Sequence, residues 1–123
     1  MSCIVESQDV TIYRGQTASF VLTVTDDLGA RFSLTGSTLY WRAKNKITDV
    51  TPIVALLTGT GITHRVQSGM TLGQADILVT SVQTALFTAQ DNVFDVWLVK
   101  PSGDKSPIVV VSKLTVLTPV TVL

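Results

Sequence analysis

Short apolar stretches that alternate with a period of two, each ended by a break carrying Gly or Asp, constrain this chain more than any other feature. In an extended strand successive side chains point to opposite faces, so such a stretch has one face for a core and one for solvent. Residues 10–13 form the first stretch, closed by Arg14-Gly15. Residues 17–25 form the second, with Phe20, Leu22 and Val24 on the predicted core face and Ser19, Thr23 and Thr25 on the other. Asp26-Asp27-Leu28-Gly29 then reads as a tight turn, since an Asp side chain can accept from the backbone two residues on and Gly29 can take positive φ. After Leu34-Thr35-Gly36 a third stretch, residues 38–46, sends Leu39, Trp41 and Ala43 inward and Tyr40, Arg42, Lys44 and Lys46 outward. Trp41, on a central strand, is the natural plug for the space between two layers.

The same pattern continues to the C-terminal end. Residues 53–57 are a short apolar run after Pro52, read as an edge strand. Residues 62–67 and 72–80 read as partners around a Ser68-Gly69 turn, with Ala75, Ile77 and Val79 opposing Gln74, Asp76 and Leu78. Residues 81–90 are the one helix-like piece: Val82, Ala85 and Leu86 fall at i, i+3, i+4, and Thr80 or Ser81 is the candidate cap. Residues 92–100 place Phe94, Val96 and Leu98 inward and Asp95 and Trp97 outward, and Pro101-Ser102-Gly103-Asp104 is a hairpin turn. Residues 105–117 return with Val110, Leu114 and Val116 as core candidates. Seven to eight strands with no alternating helix rhythm predict an all-β antiparallel sandwich. Residues 1–123 form one domain, with 118–123 a candidate extended tail.

Composition agrees. The chain holds 18 valines, 18 threonines and 7 isoleucines in 123 residues, and β-branched side chains suit a pleated surface better than a helix. Nine basic and nine acidic residues give zero formal charge. A neutral chain has no long-range field to draw in nucleic acid or an anionic membrane, and little self-repulsion to keep copies apart. Cys3 is the single cysteine, so packing rather than an intrachain disulfide must hold the core. Residues 1–6 show neither a positive nor an apolar signal region, and residues 108–123 are too broken to predict a membrane helix. The expected compartment is a reducing cytoplasm, or a particle assembled there.

Arrangements that carry chemistry were sought residue by residue. His64 is the sole histidine and stands near no nucleophile elbow, so it reads as a surface or rim residue. Asp26 and Asp27 lack the spacing of a calcium loop. Asp91 and Asp95 share a strand face about 13 Å apart, too far for a paired acid and base. Gly59-Thr60-Gly61 lacks the Lys and the following helix of a phosphate loop. No catalytic residue, metal site, cofactor or small-molecule substrate is therefore expected, and the chain is read as a non-enzyme.

Two surface features remain. Arg42, Lys44 and Lys46 form a predicted basic stripe, extended by Tyr40, which reads as a solvated face that discourages edge pairing or as a contact for an acidic partner. Trp97 lies on an outer face, Ile108-Val109-Val110-Val111 is apolar on both faces, and the chain ends Val120-Thr121-Val122-Leu123. A strand that is apolar on both faces is either covered twice or is an interface. The interface candidates are Trp97, Val109, Val111, Val120, Val122 and Leu123, followed by Arg42, Lys44 and Lys46. Trp97 and Tyr40 can alternatively serve as stacking platforms for a sugar.

These segments resemble a family. Ile12-Tyr13-Arg14-Gly15-Gln16-Thr17, the strand at 20–25, the turn at 26–29 and Leu34-Thr35-Gly36-Ser37-Thr38 before an aromatic strand are similar to small immunoglobulin-like structural proteins of tailed bacteriophages. The pattern is also similar to the N-terminal module of phage baseplate upper proteins. There an Arg-Gly-Asp/Asn-Thr turn opens the second strand and a Leu-Thr-Gly turn the third. A short helical turn, here at 80–90, leads into an aromatic-acidic strand, here Phe94-Asp95-Val96. Gln16 departs from the family's usual acidic residue, and residues 47–61 match no part of the pattern.

The resemblance implies an immunoglobulin-like sandwich acting without catalysis in the virion, but not its place in the particle; the leading expectation is a multi-copy tail, baseplate or fibre-attachment component that stands alone rather than heading a fibre. Its expected partners are other virion proteins and copies of itself, not nucleic acid or membrane. A capsid decoration protein and a host-surface or carbohydrate-binding module are the competing expectations.

Overall fold

The computed structural model of the chain describes residues 9–26, 28–88 and 90–118, without the side chains of residues 109–111. It is all-β and mostly antiparallel, and the sheet curls nearly into a barrel. Among the described residues eight strands follow in chain order: β1 Val10–Tyr13, β2 Ala18–Thr23, β3 Thr38–Lys44, β4 Val54–Thr58, β5 Gly61–His64, β6 Gln74–Val79, β7 Asp91–Val99 and β8 Lys105–Leu117. A 3-10 turn, Gly69–Thr71, and a short helix, α1 Ser81–Thr84, accompany them.

The ladder runs β1-β8-β7-β3-β4-β5-β6-β2 in a single sheet. Two pairings are parallel, β1 with β8 and β4 with β5, which the expectation of a purely antiparallel arrangement did not include. The β4–β5 junction explains the continuity. Gly59 and Gly61 both have positive φ, and around them Leu57 and Thr60 exchange backbone hydrogen bonds of 3.0 and 2.7 Å. The chain therefore kinks from β4 into β5 without breaking the ladder. This placement corrects the reading of residues 53–57 as an edge: β4 is paired on one side with β3 and on the other with β5.

The strands pack around one apolar core, and the inward residues read from alternation on β3, β6 and β7 are buried, while Phe20 of β2 is only partly so. Leu39, Trp41 and Ala43 of β3, Ala75, Ile77 and Val79 of β6, and Phe94, Val96 and Leu98 of β7 are all buried. Trp41 sits at the centre, its ring 5.7 Å from Phe94 and 6.1 Å from Phe20 of β2. Leu114 and Val116 are buried on β8 as expected, Ile108 and Ser112 join them, and the side chain of Val110, the third core candidate there, lies outside the described ones. Asp26 makes the predicted turn, its Oδ1 accepting from the backbone N–H of Leu28 at 2.9 Å and of Ala30 at 3.0 Å.

The helical segment differs from its pattern. Thr80 does cap α1, accepting from the Gln83 backbone while the Gln83 side chain accepts from the Thr80 N–H, a reciprocal capping box. The helix is only four residues long, however, and Val82, Ala85 and Leu86 face solvent, whereas Thr84 and Phe87 are buried. Helical spacing is diagnostic of a buried stripe only when a helix is long enough to lie along a core. Here one turn crosses the end of the sheet and inserts a single aromatic ring.

Candidate functional site

The alternation that buries Trp41 turns Tyr40 and Arg42 outward on β3, and that of β7 turns out Asp95, Trp97 and Val99. Register then assembles them into rows across the sheet. Tyr40 stands opposite Leu57 of β4 on one side and Trp97 of β7 on the other, and Trp97 stands opposite Pro107 of β8. This apolar row crosses four strands. On one side of it Arg42 faces Asp95, and on the other Val99 faces Lys105. Two β-bulges lie in the β7–β8 ladder, between Phe94 and Val96 and between Val96 and Trp97. Such irregularities re-aim side chains and admit Pro107 without a broken ladder.

Tyr40, Arg42, Trp97, Val99 and Lys105 line a depression of about 270 Å³. Trp97 is 38% exposed. Its indole N–H donates to Asp95 Oδ2 at 3.2 Å, which fixes the ring against the sheet. The Arg42 guanidinium carbon lies 5.7 Å from the centre of the Tyr40 ring, in the range of a cation–π contact. Among the described residues neither Arg42 nor Lys105 forms an ion pair, and no carboxylate lines the depression. It is thus a shallow aromatic hollow bounded by two cations.

The predicted basic stripe is brought together only in part. Arg42 belongs to the hollow, and Lys44 lies half-buried on the same face near Ile47, Val93 and Asp95. Lys46 falls beyond the end of β3, where its backbone N–H donates to Asp49 Oδ2 at 3.1 Å, so it does not continue the row. Val109 and Val111 lie on β8, in the segment beyond its pairing with β1, which spans residues 114–117. Val120, Val122 and Leu123 lie outside the described residues. His64 is a half-buried rim residue, its Nε2 2.9 Å from Thr58 Oγ1, which also accepts the Leu39 N–H. Burial holds the His64 pKa below its ordinary value. Lys105 and Val99 were missed as site residues, because only the register of the β7–β8 hairpin brings them beside Trp97. Counting back from the Pro101-Ser102-Gly103-Asp104 turn is the signal that would have found them.

A second surface lies between the two ends of the strand order among the described residues. β1 and β2 are the two ends of the strand order, and among the described residues no strand pairs with the outer edge of β2. Beside this edge is a cavity of about 60 Å³ bordered by Val10 of β1, Phe20, Val21 and Leu22 of β2, and the core residues Trp41, Ile77, Phe94 and Val96. Val21, 47% exposed, projects outward between Phe20 and Leu22.

No protein-family model matches this chain, and no curated protein matches it.

Proposed function

We propose that this chain is a non-enzymatic structural protein of a tailed bacteriophage, an immunoglobulin-like module held in the virion by contacts with other virion proteins and with copies of itself. The observation that carries the reading is the β2 edge, which no other strand among the described residues pairs, with the apolar gap beside it. An exposed row of backbone donors and acceptors is a template for a neighbour's strand, and a cavity beside it can take one of that strand's side chains. Repetition of one such contact around a symmetric scaffold gives avidity from individually weak contacts.

Several features support the immunoglobulin-like assignment. A buried Trp on β3 lies at the centre, β2 pairs with β6, and β3, β7 and β8 are successive neighbours. The one helical turn carries the chain from β6 to β7. The immunoglobulin sandwich has comparable groupings, B with E and C with F and G, and a core Trp on strand C. The tail, baseplate or fibre-attachment region is the proposed place, and assembly would take place in the host cytoplasm. Clamping of capsomers is the alternative placement, and copy number separates the two: six to roughly a few tens per particle for a tail, hundreds for a capsid, as assembly symmetry requires.

Val21→Lys tests the docking edge. A charge on an edge strand blocks strand addition while leaving the core face intact. The variant is expected to fold and to be lost from assembled particles; incorporation equal to that of the unsubstituted chain would refute docking at this edge.

A further inference from the structure

We propose that the hollow on the outer face of β3, β7 and β8 binds an acidic saccharide, a pyranose bearing a carboxylate. This goes beyond the virion reading and holds whether or not the chain is a virion protein.

Size selects a single ring. Pockets for drug-sized ligands run to about 300–1,000 Å³, and the hollow of about 270 Å³ lies just below that range. Shape and chemistry select a sugar. The Trp97 indole is partly exposed and is oriented by its bond to Asp95. The negative face of an aromatic ring attracts polarised C–H groups, and one face of a pyranose presents several of them.

Charge selects an acid. Arg42 and Lys105 approach the aromatic row from opposite sides, and neither is ion-paired among the described residues. Arg42 is stacked on Tyr40, which orders the guanidinium while leaving its N–H edge free to grip a carboxylate with two parallel bonds. A neutral sugar would make the stacking contact and leave both cations unused. A nucleic-acid backbone would need a longer basic track than two cations provide.

The test is a titration of the intact chain with the methyl glycosides of glucuronic acid, galacturonic acid and N-acetylneuraminic acid. Methyl glucoside and methyl galactoside serve as neutral counterparts, and benzoate as a carboxylate without a sugar. Oligouronides form a further arm. Heteronuclear NMR reports the Trp97 indole and the Arg42 side chain separately from the buried Trp41. At least one carboxylated glycoside is expected to saturate the Trp97 indole shift, about tenfold more tightly than its neutral counterpart, a difference of roughly 1.4 kcal/mol. Arg42→Gln is expected to erase that preference, and Trp97→Ala to remove binding altogether. Stronger binding by oligouronides than by single sugars identifies a polymer surface as the source; equal binding identifies free sugar. Circular dichroism melts of both variants, which alter outward side chains, confirm folding. The proposal is overturned if no carboxylated sugar perturbs Trp97, if acid and neutral sugars bind alike, or if benzoate binds as well as the glycosides.

Discussion

Arg14 donates its Nε to the main-chain carbonyl of Phe87 at 2.6 Å, tying the turn after β1 to the end of the helical turn. The same guanidinium reaches Thr118 Oγ1 at 2.8 Å. Thr84 completes the latch: its hydroxyl accepts from the Gly15 N–H at 3.0 Å and lies 2.9 Å from the Gln16 carbonyl, to which it donates. The Arg14-Gly15 break that ends the first alternating stretch is thus also a clasp across the end of the barrel-like sheet, and it holds Phe87 in the core.

Thr84→Val tests the clasp. The valine fills the same volume but leaves the Gly15 N–H and the Gln16 carbonyl without the hydroxyl that bonds both. Both residues are exposed enough for water to replace the hydroxyl, so the loss is that of ordinary hydrogen bonds, about 0.5–1.5 kcal/mol. Denaturant unfolding should show a loss in that range, with far-ultraviolet circular dichroism unchanged. A loss near zero would mean that the turn is held by other contacts.

Gly73 and Gly61 both take positive φ, but a side chain at each would meet different surroundings. A Cβ on Gly73 would lie 2.7 Å from the backbone oxygen of Val24 and 3.1 Å from that of Phe32. On Gly61 it would lie 2.6 Å from Leu56 Cδ2, the far end of a side chain that can rotate. Backbone strain alone costs on the order of 1–3 kcal/mol at either site. Gly73→Ala should therefore be the more destabilising of the two, because the Val24–Phe32 backbone must shift as well. Equal midpoint losses in urea would contradict the steric difference.

Trp41 is the central ring of the core, yet its indole N–H is buried without a partner among the described residues. Removing the ring should therefore be far worse than removing the nitrogen. Trp41→Ala is expected to cost about 3–5 kcal/mol. Trp41→Phe should cost well under half of that, since it deletes a donor that gains nothing in the fold. Parallel unfolding curves for the two variants decide the point.

His64 and Asp76 both make the fold sensitive to acid. Burial lowers the folded pKa of His64 below its ordinary 6.5. Its contribution is therefore present above the unfolded value and is lost as pH falls through the folded one. The Asp76 carboxyl lies below its ordinary 3.8, first through hydrogen bonds from Arg65 and then through its charge, against an opposing effect of desolvation. Its contribution is present above 3.8 and is lost at still lower pH. The thermal midpoint should thus fall in two stages on acidification, and His64→Gln should remove the first stage only. A midpoint that rises on acidification through the histidine range would contradict the sign.

Much of this was legible in the sequence, for a definite reason. Residues 10–13 and 105–117 become β1 and β8 with those bounds, and the inward faces of β3, β6 and β7 follow their alternation. Period two survives in a one-dimensional reading because burial alternates along a strand whatever its neighbours are. Neighbours are a different matter. Nothing in residues 54–64 announces that Gly59 and Gly61 carry the ladder from β4 into β5, so the run at 53–57 read as an edge. Val82 and Leu86 looked like a buried stripe because a four-residue turn is too short to show which way it faces. Tyr40 and Trp97 were legible as outward aromatics, but Lys105 joins them only through the register of the β7–β8 hairpin, which is counted across its turn rather than read along one strand. Lys46 was misplaced because β3 ends two residues before it.

Quantitative mass spectrometry of phage particles released by cells that carry the gene for this chain bears hardest on the proposed role. The chain should be present at a fixed number of copies relative to the major capsid protein, between six and roughly a few tens for a tail position. Its absence from purified particles, together with abundance in the soluble lysate, would contradict a structural role in the virion.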